Sequence, residues 1–335
     1  MSMNNPFANP AFSATALTAA LNILPNSYGR MEELNLFPFK PVRLRQVAIE
    51  EKNGVLALLP TAPVGSPGSV GKRGKRKLRS FIIPHIPHDD VVLPEEVQGI
   101  RAFGSESELQ TLAAVMVEHL STMRNKHAIT LEHLRMGALK GIILDADGSE
   151  LYNLFEEFGI APKTVNMGLG DATTNIKNKC VAISRYVEEN LRGEFMTRLH
   201  CLCSPEFFDG LTEHGKVEKA YERWQEGAFL RGDQRAGFEF SKITFEEYRG
   251  QASDAEGENR RFIAPGEAHV FPLGTMDTFA TYVAPADFNE AANTLGQPLY
   301  AKQEPRKFDR GTDLHTQSNV LPICHRPSVL VKLTA

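Results

Sequence analysis

His200-Cys201-Leu202-Cys203 and Cys324-His325 gather five soft donors in two short stretches, and these are residue types that hold zinc. Zinc sites usually separate paired cysteines by two to four residues. One intervening residue on a strand is expected to leave the two thiols apart. Cysteine is also among the most frequently buried residues, so both stretches are assigned to the core, with no metal. Asp145-x-Asp147-x-Ser149, with Glu156 in twelfth place, follows part of a calcium-loop pattern, but Glu150 stands where that loop requires glycine. Asp147-Gly148 between apolar runs is instead a hairpin signal of type I′. Gly168-Leu169-Gly170-Asp171 lacks the third glycine and the lysine of phosphate-cradling loops, and reads as a turn into a threonine-capped helix. The sequence contains neither G-x-S-x-G nor H-E-x-x-H. His127 falls on an apolar stripe and is expected to be a hydrogen-bonded packing residue. The pairs Glu156/Glu157 and Glu188/Glu189 suit solvated helix faces. The expectation is therefore a protein that is not an enzyme, with no catalytic residues and no cofactor.

The remaining chemistry is electrostatic. Lys72, Arg73, Lys75, Arg76, Lys77 and Arg79 place six cations within the eight residues 72–79. Such a cluster can bind nucleic-acid phosphates in a salt-dependent, sequence-independent way. It can equally pair with acids of a neighbouring subunit, for example around Asp89-Asp90, Glu95-Glu96 or Glu246-Glu247. The tip lacks interleaved aromatics for base stacking, and the chain as a whole carries a net charge of −4. The neighbour is the favoured partner, and a DNA-binding protein with a basic β-arm is the alternative.

This tip crowns a long β-patterned excursion over 42–92. The pattern rises through Leu44, Val47, Ile49 and Val55, breaks at a run of prolines and glycines from Pro60 to Gly74, and returns through Phe81, Ile82 and Ile83. Long connections are usually functional arms or disordered, and a projecting hairpin leaves edge groups to be covered. Ahead of it, residues 1–41 read as an extended arm, with one short helix near Ala14–Ile23. After it, Ser105-x-x-Glu108 forms a capping box. Leu109, Leu112, Met116, Leu120, Met123, His127, Leu131, Leu134 and Ala138 then step by three or four, predicting a helix over 105–139 closed by Lys140-Gly141. A lone long helix with one apolar stripe needs a sheet along it.

Beyond the hairpin at 142–152, the pattern predicts a helix at Thr174–Arg192, a strand at Phe195–Cys203 and a helix started by Ser204-Pro205. A helical stretch at Lys216–Gln225 follows, then strands at Phe238–Ile243, Ala268–Phe271, Thr278–Val283 and Ser328–Leu333. The fold class is α+β. The 335 residues, with 42% apolar and 23% charged, have an ordinary globular composition. No run reaches the roughly 18 apolar residues of a membrane span, and the N-terminus lacks a signal-peptide layout. Cys180, Cys201, Cys203 and Cys324 show no disulfide-framework spacing, so a reduced, cytosolic chain is expected.

The order of long β-arm, capped spine helix, Leu139-Lys140-Gly141, hairpin at Asp147-Gly148, helix, strand and Ser204-Pro205-Glu206-Phe207-Phe208 resembles the phage lambda major head protein family, capsid protein E. The ending from Leu321-Pro322-Ile323 to Val331-Lys332-Leu333 is similar to the closing strand region of that family. The resemblance runs from about residue 25 to the end, and its specificity lies in the order of the motifs. It implies the Hong Kong 97-type phage capsid fold. The parts would be an N-terminal arm (1–41), an extended loop (42–92), a peripheral domain with the spine helix (93–160), an axial domain (161–290) and C-terminal strands returning to the peripheral domain (291–335). It also implies a virion structural protein, the major capsid subunit of a tailed phage or prophage, that assembles in the host cytoplasm. Hexamers and pentamers of this subunit would close an icosahedral shell around double-stranded DNA. The partners implied are copies of itself, a portal, a decoration protein and, since no long coiled-coil segment precedes the arm, a separate scaffolding protein. No cross-linking Lys–Asn pair can be matched.

Overall fold

The computed structural model describes residues 18, 29–52, 76–96, 112–222, 237–253 and 259–335. They divide into two compact units, each assembled from distant parts of the chain. The first comprises Met1–Val47, Ile82–Arg135 and Ala280–Ile323; the second comprises Ala48–Phe81, Met136–Phe279 and Cys324–Ala335.

The first unit is built on the predicted spine. The helix runs Leu112–Lys140 among the described residues, 29 residues and so about 44 Å long. Residues 105–111, with the capping box, lie outside the described residues, as does nearly all of the arm helix. The apolar stripe is buried as its period requires. Val115, Met116, Leu120 and Met123 form one core cluster with Val92, Leu299, Ala301 and Leu314. Three of those partners come from a three-stranded antiparallel sheet with Thr312–Ser318 in its centre, flanked by Ile86–Val92 and Tyr300–Pro305. A sheet does lie along the stripe. His127 is buried on it, with Nδ1 3.0 Å from Ser318 Oγ and Nε2 3.0 Å from Thr316 Oγ1. Glu132 is buried further along and accepts the Met31 backbone N–H. That bond satisfies one of the orphan donors at the start of the short helix Arg30–Glu33.

The second unit centres on a six-stranded mixed sheet. Its order is Lys163–Asn166, Val331–Thr334, Glu267–Leu273, Arg198–Cys203, Ile243–Glu247 and Phe238–Phe240. The helix Ile176–Asn190 buries Ile176, Cys180, Ile183 and Val187. The helix Pro205–Thr212 starts as the sequence indicated: the Ser204 hydroxyl accepts the Phe207 N–H, and proline occupies the first turn.

Several local expectations change. The hairpin Ile142–Leu144/Glu150–Asn153 forms, but not with a two-residue type I′ turn. Asp145 N–H bonds Ser149 O at 2.8 Å and Gly148 N–H bonds Asp145 O at 3.0 Å. Of the turn residues Gly148 alone takes positive φ, and the Asp147 carboxylate accepts the Ser149 N–H at 2.8 Å, an Asx-type turn. The helix at 176 is capped by Asn175, not threonine. The strand expected over Phe238–Ile243 is two antiparallel strands, reversed at Ser241 and Lys242, both with positive φ. The closing strand shortens to Val331–Thr334 because Pro327–Val329 forms a 3-10 turn. The strand at Phe195 begins later, at Arg198. The helix expected over Lys216–Gln225 is described over Gly215–Glu222, and residues 223–225 lie outside the described residues.

Candidate assembly interface

The basic excursion is rooted by a pair of strands, Gln46–Lys52 and Arg76–Ile82, that form a two-stranded sheet of their own. Alternation sorts the second strand into two faces. Phe81 is fully buried, with its ring 5.3 Å edge-on from Tyr152 and 6.4 Å stacked on Phe158. Leu78 and Ile82, on the opposite face, are 67% and 63% exposed, and Leu44, just ahead of the first strand, is 71% exposed. One side of the ribbon root is thus docked and the other carries apolar side chains into solvent.

Lys72, Arg73 and Lys75 lie outside the described residues. Arg76 and Lys77 are placed in the strand by their backbone. Arg79 is held by its own chain: Nε donates to Glu157 O at 2.6 Å, and the guanidinium lies 4.6 Å over the Phe158 ring. It belongs to the root of the ribbon. Of the acids considered as partners, Glu246 is buried against His200 at 3.0 Å, and Glu247 is buried beside Arg249. Neither presents a free surface charge. Asp90 and Glu96 grip His119 at 2.7 and 2.9 Å, which raises the histidine's pKa despite its partial burial. Asp89 pairs with His315.

A second strand pair joins Tyr300–Pro305 to Thr312–Ser318 through the tip Arg306–Gly311. Phe308 at this tip is 88% exposed and sits at φ 64°, ψ 24°, and Asp309 follows at φ 53°. The exposed Arg310 guanidinium lies 5.7 Å from the Phe308 ring. Sequence reading passed over this residue. Its one signal was a lone phenylalanine among charges in Arg306-Lys307-Phe308-Asp309-Arg310-Gly311.

In the first unit a cavity of about 380 Å³ opens beside the spine helix, lined by Phe39, Ala128, Leu131, Pro298 and Val320, with Glu32 and Arg124 among its polar residues. His127 also lines it. Its pKa is lowered to about 4 by burial, with His88 and His315 adding to the effect.

The cysteines are core residues, but not as spaced apart as expected. Cys201 and Cys203 are fully buried with their sulfurs 3.6 Å apart, since residues i and i+2 share a strand face. Burial raises the thiol pKa of Cys201, and that of Cys180 to about 12, which disfavours the thiolate that metals and electrophiles require. Among the described residues no three His, Cys, Asp or Glu side chains converge as a ligand set. No helix among them is long and apolar enough to cross a membrane.

Comparison with known proteins shows the family to which these surfaces belong. The profile described as "Phage major capsid protein E" matches residues 13–335. The chain is 31% identical to the major capsid protein of Pseudomonas phage KPP10, over 96% of both chains. It is 28% identical to that of Salmonella phage Felix O1, covering 97% of this chain and 96% of the relative. Among solved structures, the putative capsid protein of an E. coli CFT073 prophage superimposes with a TM-score of 0.57 at 15% identity, over 96% of this chain and 98% of that one. The mature capsid subunit of bacteriophage PhiM1 gives 0.54 at 15% identity, over 93% and 87%. The capsid of Ralstonia phage GP4 gives 0.53 at 11% identity, over 100% and 97%. These likenesses show the α+β capsid fold of Hong Kong 97 type. The profile match and the KPP10 relative together make this chain a member of the phage major capsid protein E family.

Proposed function

We propose that this chain is the major head subunit of a tailed double-stranded DNA phage or prophage, self-assembling through hexamers and pentamers into the icosahedral shell of the virion. The observation that carries this reading is the divided ribbon, with a root fixed on its own unit by Phe81 and an outer side bearing Leu78 and Ile82. A subunit that closes a shell needs different surfaces meeting head to tail, and obligate interfaces commonly exceed about 2,000 Å². An extended ribbon adds such area without enlarging the core. Five basic residues of the tip, Lys72, Arg73, Lys75, Arg76 and Lys77, meet acids of a neighbouring copy, while Arg79 stays bound to its own unit, and the net charge of −4 suits a wall that confines DNA without gripping it.

The first unit is the peripheral domain and the second the axial domain. The pairing of Val331–Thr334 with both Glu267–Leu273 and Lys163–Asn166 supports assigning the final strand to the axial part rather than the peripheral one. Assembly takes place in the host cytoplasm with a separate scaffolding protein and a portal, and a decoration protein can cap the outer surface. Electron microscopy of the purified protein tests the reading: shells, tubes or capsomer rings support it, and uniform small particles at all concentrations overturn it. Reversing Lys75, Arg76 and Lys77 to glutamate is expected to leave the subunit folded and to impair shell formation. Normal shells from that variant would remove the role given to the tip.

A further inference from the structure

Phe308 combines three features that a self-contained subunit has no reason to keep together. Its side chain is 88% exposed, its backbone is left-handed at φ 64°, ψ 24°, and the next residue, Asp309, is left-handed as well. A bulky residue with positive φ is a conformational outlier, and such strain persists where the surrounding structure enforces it, typically at contact and switch sites. Here the hairpin enforces it: Arg306 N–H bonds Gly311 O at 3.0 Å and Asp309 N–H bonds Arg306 O at 3.1 Å, closing the tip beneath the ring. Lys307 and Arg310 are exposed on either side, and Arg306 is tied down to Asp313 at 2.7 Å. The tip is an aromatic knob in a cationic collar.

The same chain contains a hole of matching character. The cavity of about 380 Å³ beside the spine helix has apolar walls from Phe39, Ala128, Leu131 and Pro298 and room for an aromatic ring, while its Glu32 is paired with Arg135 at 3.8 Å. Arg124 lines it too and offers a guanidinium to a ring face. The knob cannot fill its own hole. Strand Tyr300–Pro305 leads away from Leu299, a cavity-lining residue, and its six residues carry the tip about 20 Å along the strand. A knob and a hole on different surfaces of one chain make a heterologous contact, the kind that closes rings and shells.

We infer that Phe308 of one copy seats its ring in the apolar cavity lined by Phe39, Ala128 and Leu131 of a second copy. This inference rests on the self-assembly reading above and adds a specific contact to it. The test places a benzophenone-bearing phenylalanine at position 308, assembles particles from mixed light and heavy isotope-labelled subunits, irradiates them and maps the cross-links. The expected result is cross-links between light and heavy copies, into peptides containing residues 124–131 or 297–299. Cross-links confined to the same copy, or to other surfaces, overturn the contact. In parallel, Phe308→Gly is expected to leave the thermal midpoint of the dissociated subunit unchanged or higher, because a left-handed residue is relieved. The same variant should raise the concentration needed for assembly about ten-fold or more. A lowered midpoint would make Phe308 a residue of its own subunit's fold, and unchanged assembly would make it a bystander; either result overturns the inference. Wild-type protein that forms no particles overturns the assembly reading itself, and this contact with it.

Discussion

The ribbon root Gln46–Lys52/Arg76–Ile82 and the hairpin Tyr300–Pro305/Thr312–Ser318 are both strand pairs that carry cations and an aromatic residue, yet they use the aromatic in opposite ways. In the ribbon, Phe81 is fully buried between Tyr152 and Phe158, and Arg79 is bonded to backbone carbonyls of the same unit. In the hairpin, Phe308 is bare, its backbone is held left-handed, and the Arg310 guanidinium lies 5.7 Å from the ring. The ribbon places its aromatic by period-two alternation, which directs every second side chain inward. The hairpin places its aromatic at a turn, where alternation stops and local hydrogen bonds decide the direction. An inward aromatic stabilises the subunit; an outward one, retained against backbone strain, is useful only to another molecule.

The largest effect that would test this contrast is at Phe81. Phe81→Ala is expected to destabilise the dissociated subunit by about 3–5 kcal/mol, the usual cost of emptying a buried aromatic site. Chemical denaturation measures it. A loss below about 1 kcal/mol would mean that the ribbon root is not docked, and the distinction between the two elements would fail.

Next in size is the root of the hairpin, where Thr316 and Ser318 hold His127. Its pKa of about 4 lies well below the ordinary histidine value of 6.5 because burial penalises the imidazolium. Between those two values the unfolded chain binds a proton at this residue and the folded chain does not. Stability therefore falls as pH drops from about 6.5 to about 4, by roughly 3 kcal/mol from this group, and the group adds nothing further below that. The comparison of His127→Gln with wild type across that range isolates the contribution, since the variant should show a shallower acid slope. Equal slopes would remove it.

Much of this architecture was legible in the sequence because it follows from period. The stripe Met116, Leu120, Met123, His127, Leu134 is buried as its three-and-four spacing demands, and Ser204-Pro205 caps a helix through a hydroxyl that can hardly do otherwise. What was not legible follows from three-dimensional context. Ser241-Lys242 reverses a strand pair with two left-handed residues, although neither type favours that conformation. Glu246-Glu247 looks like a solvated acidic pair, yet its strand lies inside the six-stranded sheet and both side chains are buried. The closeness of Cys201 and Cys203 was within reach, because residues two apart on a strand share a face whatever the fold. Phe308 could not be foreseen: nothing in a single sequence tells an outward phenylalanine from an inward one when the surrounding periodicity has ended.

The two smaller predictions separate the elements by sign. Arg79→Met keeps an apolar stem but removes the bond to Glu157 O and the cation over Phe158, so it should cost about 1–2 kcal/mol of subunit stability. Asp309→Gly should do the reverse on a smaller scale. Asp309 sits at φ 53°, where a residue with a Cβ is disfavoured by about 1–2 kcal/mol, although aspartate tolerates the region better than most. Glycine removes that cost but gives back about 0.5–1 kcal/mol through the greater freedom of the unfolded chain. The net expectation is a gain of a few tenths to about 0.5 kcal/mol in unfolding free energy, read from chemical denaturation, with Phe308 unchanged in identity. A freer turn would no longer hold the aromatic ring in place, so assembly should weaken while the isolated subunit becomes slightly more stable. If both quantities moved together, the left-handed tip would be part of the hairpin's own folding, and the hairpin would be no different in kind from the ribbon.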